Sequence, residues 1–156
     1  MTTAAVTRPI ILALLLGLFS PAFANETYDR AIKLLIDAGT TKAATAGLRD
    51  LIWQLEEKER CVLRQDYSEQ SPLSGNIRLV RQTIIPLGAI DPSKVERHGN
   101  STIVIVSKQR EGAFQVVQVD PAGPTETVGL FYLQLKYDAD SLAVADAVRA
   151  LAEICK

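Results

Sequence analysis

The sequence is poor in the residues that most often carry chemistry. It has one histidine, His98, two cysteines, Cys61 and Cys155, and one tryptophan, Trp53. A histidine-built metal site is thereby excluded, and no C-x-x-C pair is present to act as a redox or zinc motif. An excess of one charge is also lacking: 17 Lys and Arg stand against 18 Asp and Glu, a formal net charge of −1. Such a balance gives the chain no electrostatic reason to seek nucleic acid or an anionic membrane. No nucleotide-binding motif and no nucleophile elbow occurs, and after Ala24 no apolar run is long enough to span a bilayer.

What is present begins with an address. Arg8 precedes the apolar run Ile10 to Phe19, which is followed by the small-residue triplet Ala22-Phe23-Ala24. A run of about ten residues is too short for a spanning helix, which needs ~20, and the triplet fits a signal-peptidase site. Residues 1–24 are therefore expected to be a signal peptide and 25–156 one domain, periplasmic or secreted. No cysteine sits at the cleavage point, so lipid attachment there is not indicated. With only two cysteines in an exported chain, a Cys61–Cys155 disulfide is expected. Closing so long a loop removes unfolded-state entropy worth on the order of 4 to 5 kcal/mol.

From Thr27, the residues Tyr28, Ala31, Ile32, Leu35 and Ile36 recur at helical spacing, and Gly39 supplies a stop. Thr40 and Thr41 offer caps for a second helix carrying Ala44, Leu48, Leu51, Ile52 and Leu55, so residues 25–60 read as a helical hairpin. After Arg60 the period changes to two. Cys61, Leu63, Gln65 and Tyr67 alternate, and the strand through Ile77, Leu79, Val80, Ile84 and Ile85 slips phase midway, which predicts a bulge. Ile90-Asp91-Pro92 reads as a turn, Thr102 to Val106 as a β-branched strand, Ala113 to Val119 as its successor and Val128 to Tyr137 as the last strand. Residues 138–156 then place Val144, Val148, Leu151 and Cys155 on one helical stripe, with Ser141 or Asp138 as cap.

The expected class is α+β: a helical hairpin (25–60), an antiparallel meander of about six strands (61–137) and a C-terminal helix packed on the sheet. The order of elements from Cys61 to Cys155, with the Pro86-Leu87 to Asp91-Pro92 segment between early strands and a helix ending in Cys155, resembles the pleckstrin-homology-like barrel. That resemblance implies a curved sheet or partial barrel whose open end is plugged by the terminal helix. An open sheet with the helices on one face is the alternative.

His98 sits beside the expected Gly99-Asn100 turn and reads as a surface residue, not as a base for Ser101 or Ser107. The run Glu56 to Arg60 alternates in sign and reads as a solvated face, and Asp138 and Asp140 suit the positive end of the last helix. Two features remain as candidate binding sites. Arg64, Arg78 and Arg81 on neighbouring strands could form a cationic patch for an anionic ligand, and Trp53 could anchor a partner if it faces outward. No catalytic residue, metal site or cofactor is indicated.

These features point to a non-enzymatic binding module of the bacterial periplasm, taking a protein or a small ligand and neither nucleic acid nor membrane. A periplasmic inhibitor or immunity protein, or a small cell-wall hydrolase working through carboxylates, are the alternatives. The exported form is expected to start at Asn25. N-terminal sequencing of exported material checks this, and a chain still beginning at Met1 would refute it.

Overall fold

The computed structural model describes residues 21–45 and 49–156. Apart from 21–24, which begin the first helix, the expected signal segment lies outside the described residues, as does Leu48 of the expected second helix. The first helix, α1 (Pro21–Gly39), buries Tyr28, Ala31, Ile32 and Leu35, as its spacing predicts, and also Ala38, while Ile36 is half-buried against the core. The chain then forms β1 (Thr41–Thr45), β2 (Arg49–Glu59), β3 (Val62–Gln70) and β4 (Ile77–Pro86). Two 3₁₀ turns, Leu87–Ala89 and Pro92–Lys94, lead to β5 (Glu96–Arg97), β6 (Thr102–Val106), β7 (Phe114–Gln118), β8 (Thr125–Val128) and β9 (Leu130–Gln134). The final element is the helix α2 (Ser141–Ile154). The class is α+β, with antiparallel pairing throughout the described strands.

The second arm of the expected helical hairpin is a β-hairpin. Leu51 and Leu55 satisfy a helical spacing, but Leu51, Trp53 and Leu55 satisfy a strand spacing equally well, and the pairing partner decides between them. β2 pairs with β3 from Asp50↔Gln70 to Glu59↔Val62, which sets Trp53 directly opposite Tyr67. Thr40 does not cap a helix. Its Oγ1 accepts from Leu55 N at 3.3 Å and donates to Leu55 O at 3.4 Å, tying the end of α1 to β2.

The strands form a six-stranded sheet in the order β1-β2-β3-β4-β7-β8 and a three-stranded sheet in the order β5-β6-β9. Neither sheet closes on itself, so the barrel suggested by the pleckstrin-homology-like resemblance is not formed. The last strand, expected as one run from Val128 to Tyr137, instead divides at Gly129, with β8 in one sheet and β9 in the other. Space at this corner depends on Gly112, whose φ is +89° and where an added Cβ would stand 2.4 Å from Val128 C. The phase slip in β4 is a bulge at Val80: Tyr67 pairs with Arg81 and Ser68 with Leu79.

The core lies between the helices and the buried faces of both sheets. Leu55, Leu63 and Ile85 of the larger sheet meet Leu35 of α1, Val144, Val148 and Leu151 of α2, and Ile103, Ile105 and Leu133 of the smaller sheet. Asp140 caps α2, accepting from Leu142 N and Ala143 N at 3.1 Å each, so the cap lies between the two expected positions, Asp138 and Ser141.

Cys61 and Cys155 are disulfide-bonded, with Cα atoms 5.6 Å apart and a sequence separation of 94. Cys61 occupies the Arg60-Cys61 turn between β2 and β3 with φ at +66°, a left-handed conformation rare for a side chain with Cβ. Its carbonyl accepts from Leu87 N at 2.9 Å, and its N–H donates to the buried Tyr28 hydroxyl at 2.8 Å. That hydroxyl in turn donates to Glu57, and Arg60 lies over the same ring, 4.2 Å from its centroid. Burial, and secondly the bond to Glu57, push the Tyr28 pKa up from 10.0, so the phenol stays protonated and keeps donating. Gly88 lets this junction close, since a Cβ there would stand 2.1 Å from Cys155 O.

Among the described residues no helix is long and apolar enough to cross a membrane. Cys155→Ser is expected to lower unfolding stability by roughly 2 to 5 kcal/mol. Chemical denaturation of the variant beside the reduced wild-type protein checks this, and an unchanged midpoint would show that the bridge contributes nothing.

Candidate functional site

Alternation along β2, β3 and β4 continues the buried face of the larger sheet beyond the core. The row Leu55, Gln65, Thr83 is the last whose members on these three strands are all buried. The next row outward runs Thr41, Trp53, Tyr67, Arg81, Gln118 in direct register across five strands, and all five are half-buried. Beyond it come Leu51, Glu69 and Arg78, and near them Arg49 at the start of β2. No described helix buries these outer rows.

Trp53 and Tyr67 are stacked with ring centroids 5.5 Å apart and planes tilted by 35°. Arg81 lies on the other side, its guanidinium carbon 5.6 Å from the Tyr67 centroid. An aromatic pair flanked by a cation offers both flat apolar surface and charge. Beneath this row Gln65 is 4% exposed, and its Nε2 has no hydrogen-bond partner among the described residues.

Two grooves flank the row. One, of about 320 Å³, is lined by Arg49, Glu69, Ser71, Asn76 and Arg78. Its charges are largely satisfied internally, because Glu69 bonds to Arg49 and accepts from Arg78 at 3.1 Å, while Arg78 also lies 3.5 Å from Asp120. The bond from Arg49 holds the Glu69 carboxyl below its ordinary 4.5, against the opposing effect of desolvation, and Tyr67 and Arg78 add to it. Tyr67 is pushed the other way, above 10.0, by burial first and by its bond to Glu69 second. The second groove, of about 280 Å³, is lined by Arg81, Val116, Gln118, Gly123, Pro124 and Glu126.

Of the three candidate arginines, the structure brings Arg78 and Arg81 to this face and sends Arg64 to the opposite one. Arg64 is out of phase with Tyr67 on β3, and it pairs outward with Glu56 at 2.8 Å and Asp66 at 3.3 Å. Trp53, read as a helix residue, joins the arginines through Tyr67. Tyr67, Glu69, Arg49 and Gln118 were not singled out by the sequence reading. Tyr67 carried a signal, since it shares its alternation with Leu63 and Gln65, but its neighbour across the strand was hidden while β2 was read as helix.

His98 lies exposed beyond β5, its N–H donating to Thr102 O at 2.9 Å and its ring edge-on to Tyr132 at 6.0 Å. Glu56 and Glu57 are engaged with Arg64 and Tyr28, and Asp140 with the α2 cap. Among the described residues no group of three His, Cys, Asp or Glu side chains is placed to share a metal ion. No protein-family model matches the chain, and no curated protein or solved structure is significantly similar to it.

The lowered Glu69 pKa links this cluster to pH. Its contribution to stability is present in full above 4.5 and is lost as pH falls through the lowered folded-state value. Wild-type protein is therefore expected to exceed Glu69→Gln in Tm at neutral pH, with the gap closing under acid. Melting curves from neutral to acidic pH check this, and a gap independent of pH would contradict it.

Proposed function

We propose that this protein is an exported, non-enzymatic binding module that receives its ligand or partner on the open half of the inner face of the six-stranded sheet. The observation that supports this reading best is the row Trp53, Tyr67 and Arg81. It is half-buried and sits between two grooves, where no described helix covers it. Aromatic and arginine side chains of this kind supply most of the energy at binding surfaces, because they bury large areas at low entropic cost and still offer polar contacts. The disulfide supports export to an oxidising compartment such as the periplasm.

A dedicated inhibitor is the second reading, and one feature favours it. Leu73 is 98% exposed in the β3–β4 loop, and Ile77 at the start of β4 is 63% exposed. The loop is braced from within, with Gly75 N donating to Ser71 O at 2.8 Å, Ser71 N to Asn76 O at 3.0 Å and Gln70 Nε2 to Gly75 O at 3.0 Å. A pre-organised loop presenting an apolar side chain suits insertion into an enzyme's pocket, since little ordering entropy remains to be lost on binding.

The test is retention of a partner from periplasmic extract on immobilised protein, comparing wild type with Trp53→Ala, Leu73→Ala and His98→Ala. Binding on the sheet face predicts at least about tenfold loss with Trp53→Ala and none with His98→Ala. Loss with Leu73→Ala alone would replace this reading by the inhibitor. An activity abolished by His98→Ala would overturn both in favour of an enzyme.

A further inference from the structure

The arginines of the six-stranded sheet are sorted by their partners. Arg64 is paired with Glu56 and Asp66, Arg49 with Glu69, and Arg78 with Glu69 and Asp120. Arg81 differs: among the described residues no carboxylate lies within ion-pairing distance, and its contact is the Tyr67 ring. A half-buried guanidinium has lost part of its hydration, and an aromatic face returns only part of that. The second groove also carries the opposite charge, on an exposed side chain. Glu126, on the same face of β8, lines the groove with Arg81 and also has no ion-pair or hydrogen-bond partner among the described residues. One strand, β7, and one further row separate them, because Arg81 pairs with Gln118 while Glu126 pairs with Val116. Opposite charges thus border one groove without reaching each other, and between them lie the apolar surfaces of Val116 and Pro124 and the Gln118 amide.

We infer that the groove between Arg81 and Glu126 binds a small carboxylate whose far end donates hydrogen bonds. The inference rests on the sheet-face reading above and adds the class of ligand. The carboxylate takes the planar fork of Arg81, which matches its two oxygens, and Glu126 accepts from the donor group at the other end. A volume of about 280 Å³ stands at the lower limit of small-molecule sites and suits a ligand of monosaccharide or dipeptide size. Two sources share this chemistry: a sugar acid, whose donors are hydroxyls, and a short zwitterionic peptide, whose donor is an ammonium.

The probes are D-glucuronate and L-alanyl-L-alanine, titrated at millimolar concentration into the disulfide-bonded protein and read by calorimetry and by amide NMR shifts at Val116 and Gln118. D-glucose and acetate, each lacking one end, are the controls. At least one probe is expected to saturate, with at least about tenfold weakening by Arg81→Gln and no change with Arg78→Gln, whose charge is already satisfied. Glu126→Gln separates the sources. It weakens a dipeptide as strongly as Arg81→Gln does, and it leaves a sugar acid within a few-fold, because a neutral amide oxygen still accepts from hydroxyls. If neither probe saturates, if either control binds as well as its probe, or if Arg78→Gln is as damaging as Arg81→Gln, the inference is overturned. Loss of the extract partner with Trp53→Ala would still stand on its own, so failure here leaves the sheet-face reading separately testable.

Discussion

Three separate parts of the fold converge on Cys61. Its side chain is bonded to Cys155 at the end of α2, its N–H is held by Tyr28 from α1, and its carbonyl is held by Leu87 N after β4. The residue between β2 and β3 is therefore gripped by both helices and by the chain leaving the sheet. A left-handed conformation at a residue with Cβ costs free energy and persists only where the surroundings over-determine it. Here they do, and the consequence extends beyond the turn. With Cys61 held, β2 and β3 pair from Glu59↔Val62 outward, and a bulge between Glu57 and Glu59 then shifts the register by one residue, so that Trp53 faces Tyr67 and not Ser68.

That dependence explains how far the sequence could be read. The stripe Val144, Val148, Leu151 on α2, the β4 bulge and the disulfide were legible because each is decided locally, by a period, a phase slip or a count. The segment 49–59 was not, since Leu51 and Leu55 fit both periods and only the pairing with β3 selects one. The same ambiguity hid the candidate site. Trp53 and Arg81 were visible as separate candidates, but the residue joining them, Tyr67, becomes a neighbour of Trp53 only when β2 is a strand. Arg64 was grouped with Arg78 and Arg81 because its strand was expected to neighbour theirs, and strand phase sends it to the opposite face. The alternation of Leu63, Gln65 and Tyr67 already set Arg64 out of phase with them, and that phase was outweighed by the shared charge.

Polar groups are arranged differently on the two faces of the larger sheet. On the outer face, Glu56, Arg64, Asp66 and Gln82 form a chain of mutual contacts, with Gln82 donating to Asp66 at 3.1 Å. On the inner face the charges are paired where Arg49, Glu69 and Arg78 meet, whereas half-buried Arg81 and exposed Glu126 border one groove without meeting. Solvated pairs contribute little to stability, so the outer chain is an ordinary protein surface. A half-buried arginine whose only contact is an aromatic ring is harder to explain by stability alone, and it lies where the functional proposal places the ligand.

The open face itself follows from where the helices lie. β2, β3 and β4 contain 11, 9 and 10 residues, so at about 3.3 Å per residue they extend roughly 30 to 36 Å. α1 meets β2 where Thr40 is tied to Leu55, and α2 packs on α1, on the two 3₁₀ turns and on the smaller sheet. Both helices therefore gather at the Cys61 end of these strands and leave the other end uncovered. The buried end is the one anchored by Cys61, so the projecting end is supported by a rigid base without being part of the core. Its outer strand is also guarded against unwanted pairing: Lys42 on β1 reaches Asp50 and Gln70, each at 2.7 Å, which keeps charge along the exposed edge. The projecting strands thus give up burial they could have had in a shorter sheet, and what they carry there is the aromatic and arginine row flanked by its two grooves.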